Sequence, residues 1–274
     1  MKSFALALGG GGARGIAHIA VLEAIDAMGA KPCAIAGTSI GALIGAAHAA
    51  GLMGREIRRH VITVAHNRGE VLRRLVQARA GTFATLFSAG FSGATALDAE
   101  KLCEQFLPEG IPADFADLQI PLTVMASDIH RRHQVSFSSG PLKPALAASM
   151  ALPSLVRPVV IDDRVLVDGG ATNPLPFDAL RGRAEVVVAV DVSGEPNQER
   201  RDVPSPWECL ATTVLVMGSA ITAEKLKHWA PDLIIRPRVG SFRTLDFLQA
   251  SAILRAAEHA NAEIQEKLAA LLKG

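Results

Sequence analysis

The sequence predicts an α/β fold, a three-layer αβα sandwich around a mainly parallel sheet, on three observations. Two short apolar runs, Ser3–Leu8 and Cys33–Gly37, each lead through a glycine-bearing turn into a helical pattern. Such a β-loop-α-β-turn-α opening starts a parallel sheet, because parallel neighbours need a crossover long enough to hold a helix. The third observation is Glu185–Val192, EVVVAVDV, whose run of β-branched residues suits a strand buried on both faces.

Taken in order, Ser3–Leu8 rises into four glycines, Gly9 to Gly12, and a helix follows from about Arg14 to Met28. Its apolar positions Ile16, Ile19, Ala20, Leu22 and Ala27 keep helical spacing, and Gly29 and Pro32 stop it. The second strand turns at Thr38-Ser39 into an uncharged, Ala-rich helix from about Ile40 to Ala50. Residues 55–79 are rich in arginine (Arg55, Arg58, Arg59, Arg68, Arg73, Arg74, Arg79), with apolar residues at helical intervals. Residues 80–97 are small and uncharged apart from the regularly spaced Phe83, Phe87 and Phe91. Asp98 caps a helix that runs to about Leu107. Ile120–Ser127 and Gln134–Phe137 are expected strands, Pro144–Leu152 a helix, and Val156–Ile161 with Arg164–Val167 a hairpin around Asp162-Asp163. A polar loop, 194–204, precedes a helix Pro206–Trp229, a strand Leu233–Ile235 and one long amphipathic helix, Phe242–Lys273, carrying Leu245, Leu248, Ala252, Ile264, Leu268 and Leu271. Without repeat or linker, residues 1–274 are expected to form a single domain.

Composition excludes several classes. A net charge of +1 supplies no field that would steer the protein to nucleic acid. Three distant cysteines, Cys33, Cys103 and Cys209, make neither a disulfide framework nor a metal site, and a reducing cytoplasm is expected. The apolar start is too short for a signal peptide and ends at the glycines and Arg14. Cys33 to Gly54 lacks charge and spaces Gly37, Gly41 and Gly45 as a helix-pairing ladder. It is nonetheless mostly Ala and Gly, holds His48, and begins with strand character, so a membrane span is not expected.

Gly37-Thr38-Ser39-Ile40-Gly41 has the G-x-S-x-G pattern of a nucleophile elbow. A serine between strand and helix projects its hydroxyl from the sheet edge, and the helix N-terminus behind it offers free N–H groups. The pattern alone is not specific, since serine is also a preferred helix cap. The loop Gly10-Gly11-Gly12-Ala13-Arg14-Gly15 fits two chemistries. As G-x-G-x-x-G between strand and helix it matches a dinucleotide fingerprint, but the second strand ends in Gly37-Thr38-Ser39 rather than an acid, and Asp26 lies too early. Alternatively its N–H groups converge on one point as an oxyanion hole, with Arg14 orienting the loop or meeting an anion.

A base for Ser39 is harder to find. His228 and His259 come late enough for a triad but sit among Lys, Glu and Ala on solvated helix faces. His18 and His48 lie on helical faces, and His130 and His133 in an arginine-flanked loop lack further metal ligands. Asp168 ends the apolar strand RVLV ahead of two glycines, which holds a carboxylate at another strand terminus.

Together Gly10–Gly15, Gly37–Gly41 and Asp168-Gly169-Gly170 resemble the three blocks of patatin-like phospholipases, most of all the compact bacterial members related to the catalytic domain of neuropathy target esterase. Ala147–Pro153 resembles a further block, and Asn173-Pro174 the family's Asn-x-x-Pro tail, with an extra proline ahead of Pro176. The resemblance, from about Phe4 to Val192, implies a patatin-like fold and a Ser39–Asp168 dyad with the glycine loop as oxyanion hole. It also implies a lipid ester substrate and no metal or nucleotide cofactor. The expected protein is a cytoplasmic serine hydrolase of phospholipid or lysophospholipid esters. By composition alone, residues 55–97 form either a basic cap that meets the lipid surface at the membrane periphery or plain core, its phenylalanine stripe covered by a helix with solvated arginines. Two rivals stay open: a nucleotide-binding oxidoreductase, and a non-catalytic or acyl-transferring protein on the same fold.

Overall fold

The computed structural model describes residues 1–66, 97–153, 155–194, 203 and 206–273. Its strands are β1 (Phe4–Leu8), β2 (Ala34–Thr38), β3 (Leu122–Asp128), β4 (His133–Phe137), β5 (Val159–Ile161), β6 (Arg164–Asp168), β7 (Val186–Val190) and β8 (Leu233–Ile235). They form one sheet in the order β5-β6-β3-β2-β1-β7-β8, with β4 paired to β3 off that path. Pairing is parallel from β3 through β2, β1 and β7 to β8, and antiparallel where β3 meets β4 and β6 and where β5 meets β6. The sheet is thus mixed, with a parallel centre flanked by helices, as the βαβ opening and the Glu185–Val192 run predict.

Alternation along the central strands decides what each face packs against. Phe4, Leu6 and Leu8 of β1, Ile35 of β2, and Val186, Val188 and Val190 of β7 point to one face and join the main core. The helices α1 (His18–Ala27), α2 (Ile40–Ala49) and the C-terminal pair cover that face. Ala5, Ala7, Ala34, Ala36 and Ala189 point the other way, where small side chains admit a thinner layer. There Leu175, Phe177 and Leu180 of the 3-10 turn Phe177–Leu180 and its approach pack with Leu226 and Trp229 from the end of Pro206–His228.

The hairpin forms with a shorter first arm than expected. Asp162 and Asp163 take φ of 49° and 57°, two successive left-handed residues that give the turn its tight two-residue form. Asp98 caps Ala99–Phe106 by accepting from the Lys101 N–H. Among the described residues no helix is long and apolar enough to cross a membrane.

Two expectations need correction. The long C-terminal helix is broken into a 3-10 turn Phe247–Gln249 and the helices Ala250–Glu258 and Asn261–Lys273. The break lets Ile253, Leu254 and Ala257 on one piece and Ile264, Leu268 and Leu272 on the other all reach the core, which one straight rod could not do. Leu245 and Leu248, expected on the buried stripe, are 54% and 50% exposed. Within the expected basic cap, α3 (Gly54–His66) is described, whereas Arg68, Arg73, Arg74, Arg79 and the three phenylalanines lie outside the described residues. Arg58 is not a free surface cation: it binds both carboxylate oxygens of Glu23 on α1 and lies 2.7 Å from Glu258, tying α3 to the body.

Candidate active site

Sheet register alone brings two of the expected residues together. Met125 of β3 pairs with Thr38 of β2 on one side and Ser136 of β4 on the other; the next residue, Ala126, pairs with Asp168 and Val135. Strands β2 and β6 therefore share one edge of β3, approaching each other from opposite directions and stopping end to end. Ser39 follows the last residue of β2, and Asp168 is the last residue of β6. The Ser39 hydroxyl donates to Asp168 Oδ2 at 2.6 Å.

The turn that presents Ser39 is strained. Its φ of 55° and ψ of −126° are unusual for a residue with a Cβ, a cost of about 1–3 kcal/mol that surrounding contacts must sustain. Those contacts are specific. The Ser39 N–H donates to Ser149 Oγ (2.8 Å), its carbonyl accepts from Ala42 and Leu43 to start α2, and the Thr38 hydroxyl donates to the Asn173 carbonyl (2.7 Å). Gly37 and Gly41 make room for the bend: a Cβ at Gly37 would lie 2.5 Å from Ala42 Cα, and one at Gly41 2.2 Å from the Leu8 carbonyl oxygen.

Asp168 is held as firmly. Its Oδ1 accepts from the Gly170 N–H (2.7 Å), its own N–H donates to Ala151, and its carbonyl accepts from the buried Ser127 hydroxyl (3.0 Å). Burial pushes the carboxyl up to about 6, against the downward pull of the hydrogen bonds from Ser39 and Gly170. A buried carboxylate with that affinity for protons is a better acceptor near neutrality than an exposed one.

The glycine loop lies beside this pair, but its six residues are not equivalent. Gly10 donates its N–H to the Pro174 carbonyl (2.9 Å) and Ala13 to Thr244 (2.7 Å), while Arg14 and Gly15 lie inside the 3-10 turn Gly12–Ala17. Only the N–H groups of Gly11 and Gly12 lack a carbonyl partner among the described residues. Among the described residues Arg14 meets no anion through its hydrogen bonds. Half-buried, it donates to the carbonyls of Phe242 and Ser193 and straps the loop to the end of β7. His18 is wholly buried and donates from Nε2 to the Gly9 carbonyl (2.8 Å). Burial pushes its pKa down to about 4, so it stays a neutral prop.

Six of the remaining histidines sort plainly. His228 and His259 are solvent-exposed, as are His130 and His133, and His48 bonds to the Leu52 carbonyl at the far end of α2. His60 of α3 lines the same cavity as Ser39 but is engaged with the Phe106 carbonyl at 3.0 Å. That cavity, about 450 Å³, has Ser39, Asp168 and Gly10–Gly12 on one wall. Apolar side chains of α2, α3, Ala99–Phe106 and Pro206–His228 make up most of the rest.

Sequence reasoning missed three supports. Ser149 sits in the Ala147–Pro153 block, where a serine among alanines was the available signal. Ser127 is a polar residue at the buried end of an apolar strand. Lys225 gave no signal: from the helix Pro206–His228 it reaches back to Asn173 Oδ1, the Leu175 carbonyl and Asp178, closing the loop after Asp168.

The chain is similar to known proteins in sequence and in fold. The family model described as patatin-like phospholipase matches residues 6–181. An uncharacterized NTE family protein of Mycobacterium bovis is 36% identical over 199 residues, 72% of this chain and 51% of its own. Patatin-like phospholipase domain-containing protein 7 of Rattus norvegicus is 28% identical over 271 residues, which is 90% of this chain and 19% of that protein. The chain thus spans about half the length of the mycobacterial relative and about a fifth of the rat one. VipD from Legionella pneumophila matches in fold, with a TM-score of 0.53 at 14% identity over 97% of this chain and 66% of its own. With the matched region running from β1 past the Asp168 loop, the chain belongs to the patatin-like phospholipase family.

Proposed function

We propose that this chain is a serine lipid acyl hydrolase that cleaves carboxylic esters of phospholipids or lysophospholipids through an acyl-Ser39 intermediate. The observation that carries the reading is the 2.6 Å hydrogen bond from a strained, elbow-held Ser39 to a buried Asp168 at the wall of an apolar cavity. Asp168 takes the hydroxyl proton as Ser39 Oγ attacks the ester carbonyl. The Gly11 and Gly12 N–H groups face the developing oxyanion, each such donor being worth about 3 kcal/mol in the transition state. Collapse expels the alcohol, which leaves with the proton from Asp168. Water then gives Asp168 a proton as it attacks the acyl-serine, and the fatty acid departs as Ser39 recovers its hydrogen. An alcohol in place of water would make the same site an acyltransferase.

The dinucleotide reading of the loop has less support. Thr244 occupies the space over Gly12, where a Cβ would lie 2.3 Å from the Thr244 carbonyl oxygen, and the Gly10 and Ala13 donors are already engaged. Peripheral contact with a lipid surface is supported by Leu245, Phe247 and Leu248, which line the cavity and are 38–54% exposed.

The test is labelling by a fluorophosphonate probe together with turnover of lipid esters, with Ser39→Ala as control. No labelling of Ser39 would leave the fold without this chemistry; labelling with transfer to added alcohol but no hydrolysis would make the protein a transferase. A pH profile checks the base. Since the ionised carboxylate is the active form, kcat/KM is expected to rise tenfold per pH unit below about 6 and to level off above it. In Ser39→Ala, carboxyl NMR of Asp168 should show titration at higher pH, because the hydrogen bond that favours the carboxylate is gone. A profile flat through this range would remove Asp168 as base.

A further inference from the structure

The cavity that holds Ser39 extends along helix α2. Helix α2 leads away from Ser39 and presents Ile40, Leu43, Ile44 and Ala47 to the cavity, the i, i+3, i+4, i+7 face of one helix. Its other side is made of small residues that press on the sheet: Gly45 against Ile35, Leu8 and Leu122, and Ala42 against Gly37. On the cavity side large residues therefore come first and the small Ala47 last. Beyond Ala47 the chain turns at residues 50–53 into α3, whose first cavity residue is Ile57. Ala47 and Ile57 are 1% and 2% exposed, so protein closes that end. The turn is fixed, because the Ala49 carbonyl accepts from both Gln119 and Ile120 at 2.8 and 3.1 Å, and the Gly54 N–H donates to Asp26. The opposite side of the cavity reaches solvent at the exposed Leu245 and Leu248.

We propose that Ala47 and Ile57 form the floor of an acyl-binding arm and make this enzyme selective for medium-length acyl chains, with the alcohol portion of the ester directed to the open side. The proposal rests on the hydrolase reading above. From Ser39 to Ala47 the helix advances about 12 Å at ~1.5 Å per residue. An extended alkyl chain advances roughly 1.3 Å per carbon, given C–C bonds of about 1.5 Å at tetrahedral angles. The arm therefore takes about eight to ten carbons before the terminal methyl meets the floor.

The experiment compares kcat/KM for p-nitrophenyl esters from acetate to palmitate, and the thermal shift given by free fatty acids of the same lengths, in the wild type, Ala47→Leu and Ile57→Ala. For the wild type, kcat/KM should climb roughly three- to fourfold per methylene, as apolar burial dictates, up to about eight to ten carbons, and then stop climbing. Ala47→Leu should lower the decanoate-to-butyrate ratio at least tenfold, and Ile57→Ala should move the plateau to longer chains. Ala47→Val, a smaller intrusion, should move the ratio in the same direction if the leucine variant folds poorly. Ratios within twofold of wild type in the folded variants, or a loss equal at every length, would overturn the proposal. The fatty-acid shifts separate it from the reading beneath: a length limit in binding that moves with residue 47, without ester turnover, would retain the gauge and overturn the hydrolase.

Discussion

Ser39→Ala and Asp168→Asn should each lower kcat/KM for an ester by roughly 10⁴-fold or more, and the double variant should be no worse than either. Groups that act as one unit are non-additive, because the second loss removes a partner that already has nothing to work on. The 2.6 Å hydrogen bond supplies the coupling, since proton transfer and attack use the same two atoms. The informative control is His60, the histidine that lines the cavity, rather than the exposed His228 and His259. His60→Ala should stay within about tenfold of wild type; a loss matching Ser39→Ala would replace the dyad with a triad. Stability should move the other way. Folding raises the Asp168 carboxyl from 3.8 to about 6, so it costs stability as pH rises from about 4 to 6, and the loss stays in place above that. An amide in its place cannot ionise, so Asp168→Asn should be more stable than wild type at pH 8, by at most about 3 kcal/mol. Unfolding curves at pH 4 and pH 8 would show it, the gain appearing only at the higher pH.

The parallel centre of the sheet was legible because local signals agreed there. Strand runs of five residues ended in glycines, helices began directly after them, and patterning, turns and handedness all pointed one way. The elbow was legible for the same reason: Gly37 and Gly41 are needed by contacts within a few residues of themselves or by the neighbouring strand. What escaped reading depends on long-range register. Nothing near residue 168 says that β6 runs against β3 and halts opposite Thr38, because that follows from pairing with residues some forty positions away. The same holds for Lys225, which reaches Asn173 and Asp178 from a helix with no motif of its own. The division of labour within Gly10–Gly15 was also invisible, since the partners that engage Gly10 and Ala13 are Pro174 and Thr244. The C-terminal helix failed for a different reason. Its apolar residues keep helical spacing throughout, and spacing cannot show where a curved core obliges the rod to break.

Gly41→Ala should be the most damaging single methyl that can be added near the site. The added carbon would stand 2.2 Å from the Leu8 carbonyl oxygen and 2.6 Å from that of Gly9. Both obstacles are backbone atoms of β1 and the glycine loop, and a methyl has no rotamer with which to avoid them. Relief requires α2 to move away from the end of β1, which pulls Ser39 from Asp168 and from the Gly11 and Gly12 donors at once. Overpacking of this kind costs typically 1–3 kcal/mol, and more where neither side can yield. For a chain of this length 1–3 kcal/mol corresponds to a fall in Tm of about 2–6 °C, and a larger cost to a larger fall or to failure to fold. Ser39→Gly separates the two consequences of the elbow. It removes the nucleophile and also the strain of a φ of 55°, so it should be equally inactive yet melt higher than wild type. If Gly41→Ala melts with the wild type and keeps its turnover, the close approach of α2 to β1 is not what holds Ser39 in place. If Ser39→Gly melts lower, the turn is relaxed and the hydroxyl's hydrogen bond to Asp168 outweighs the backbone cost.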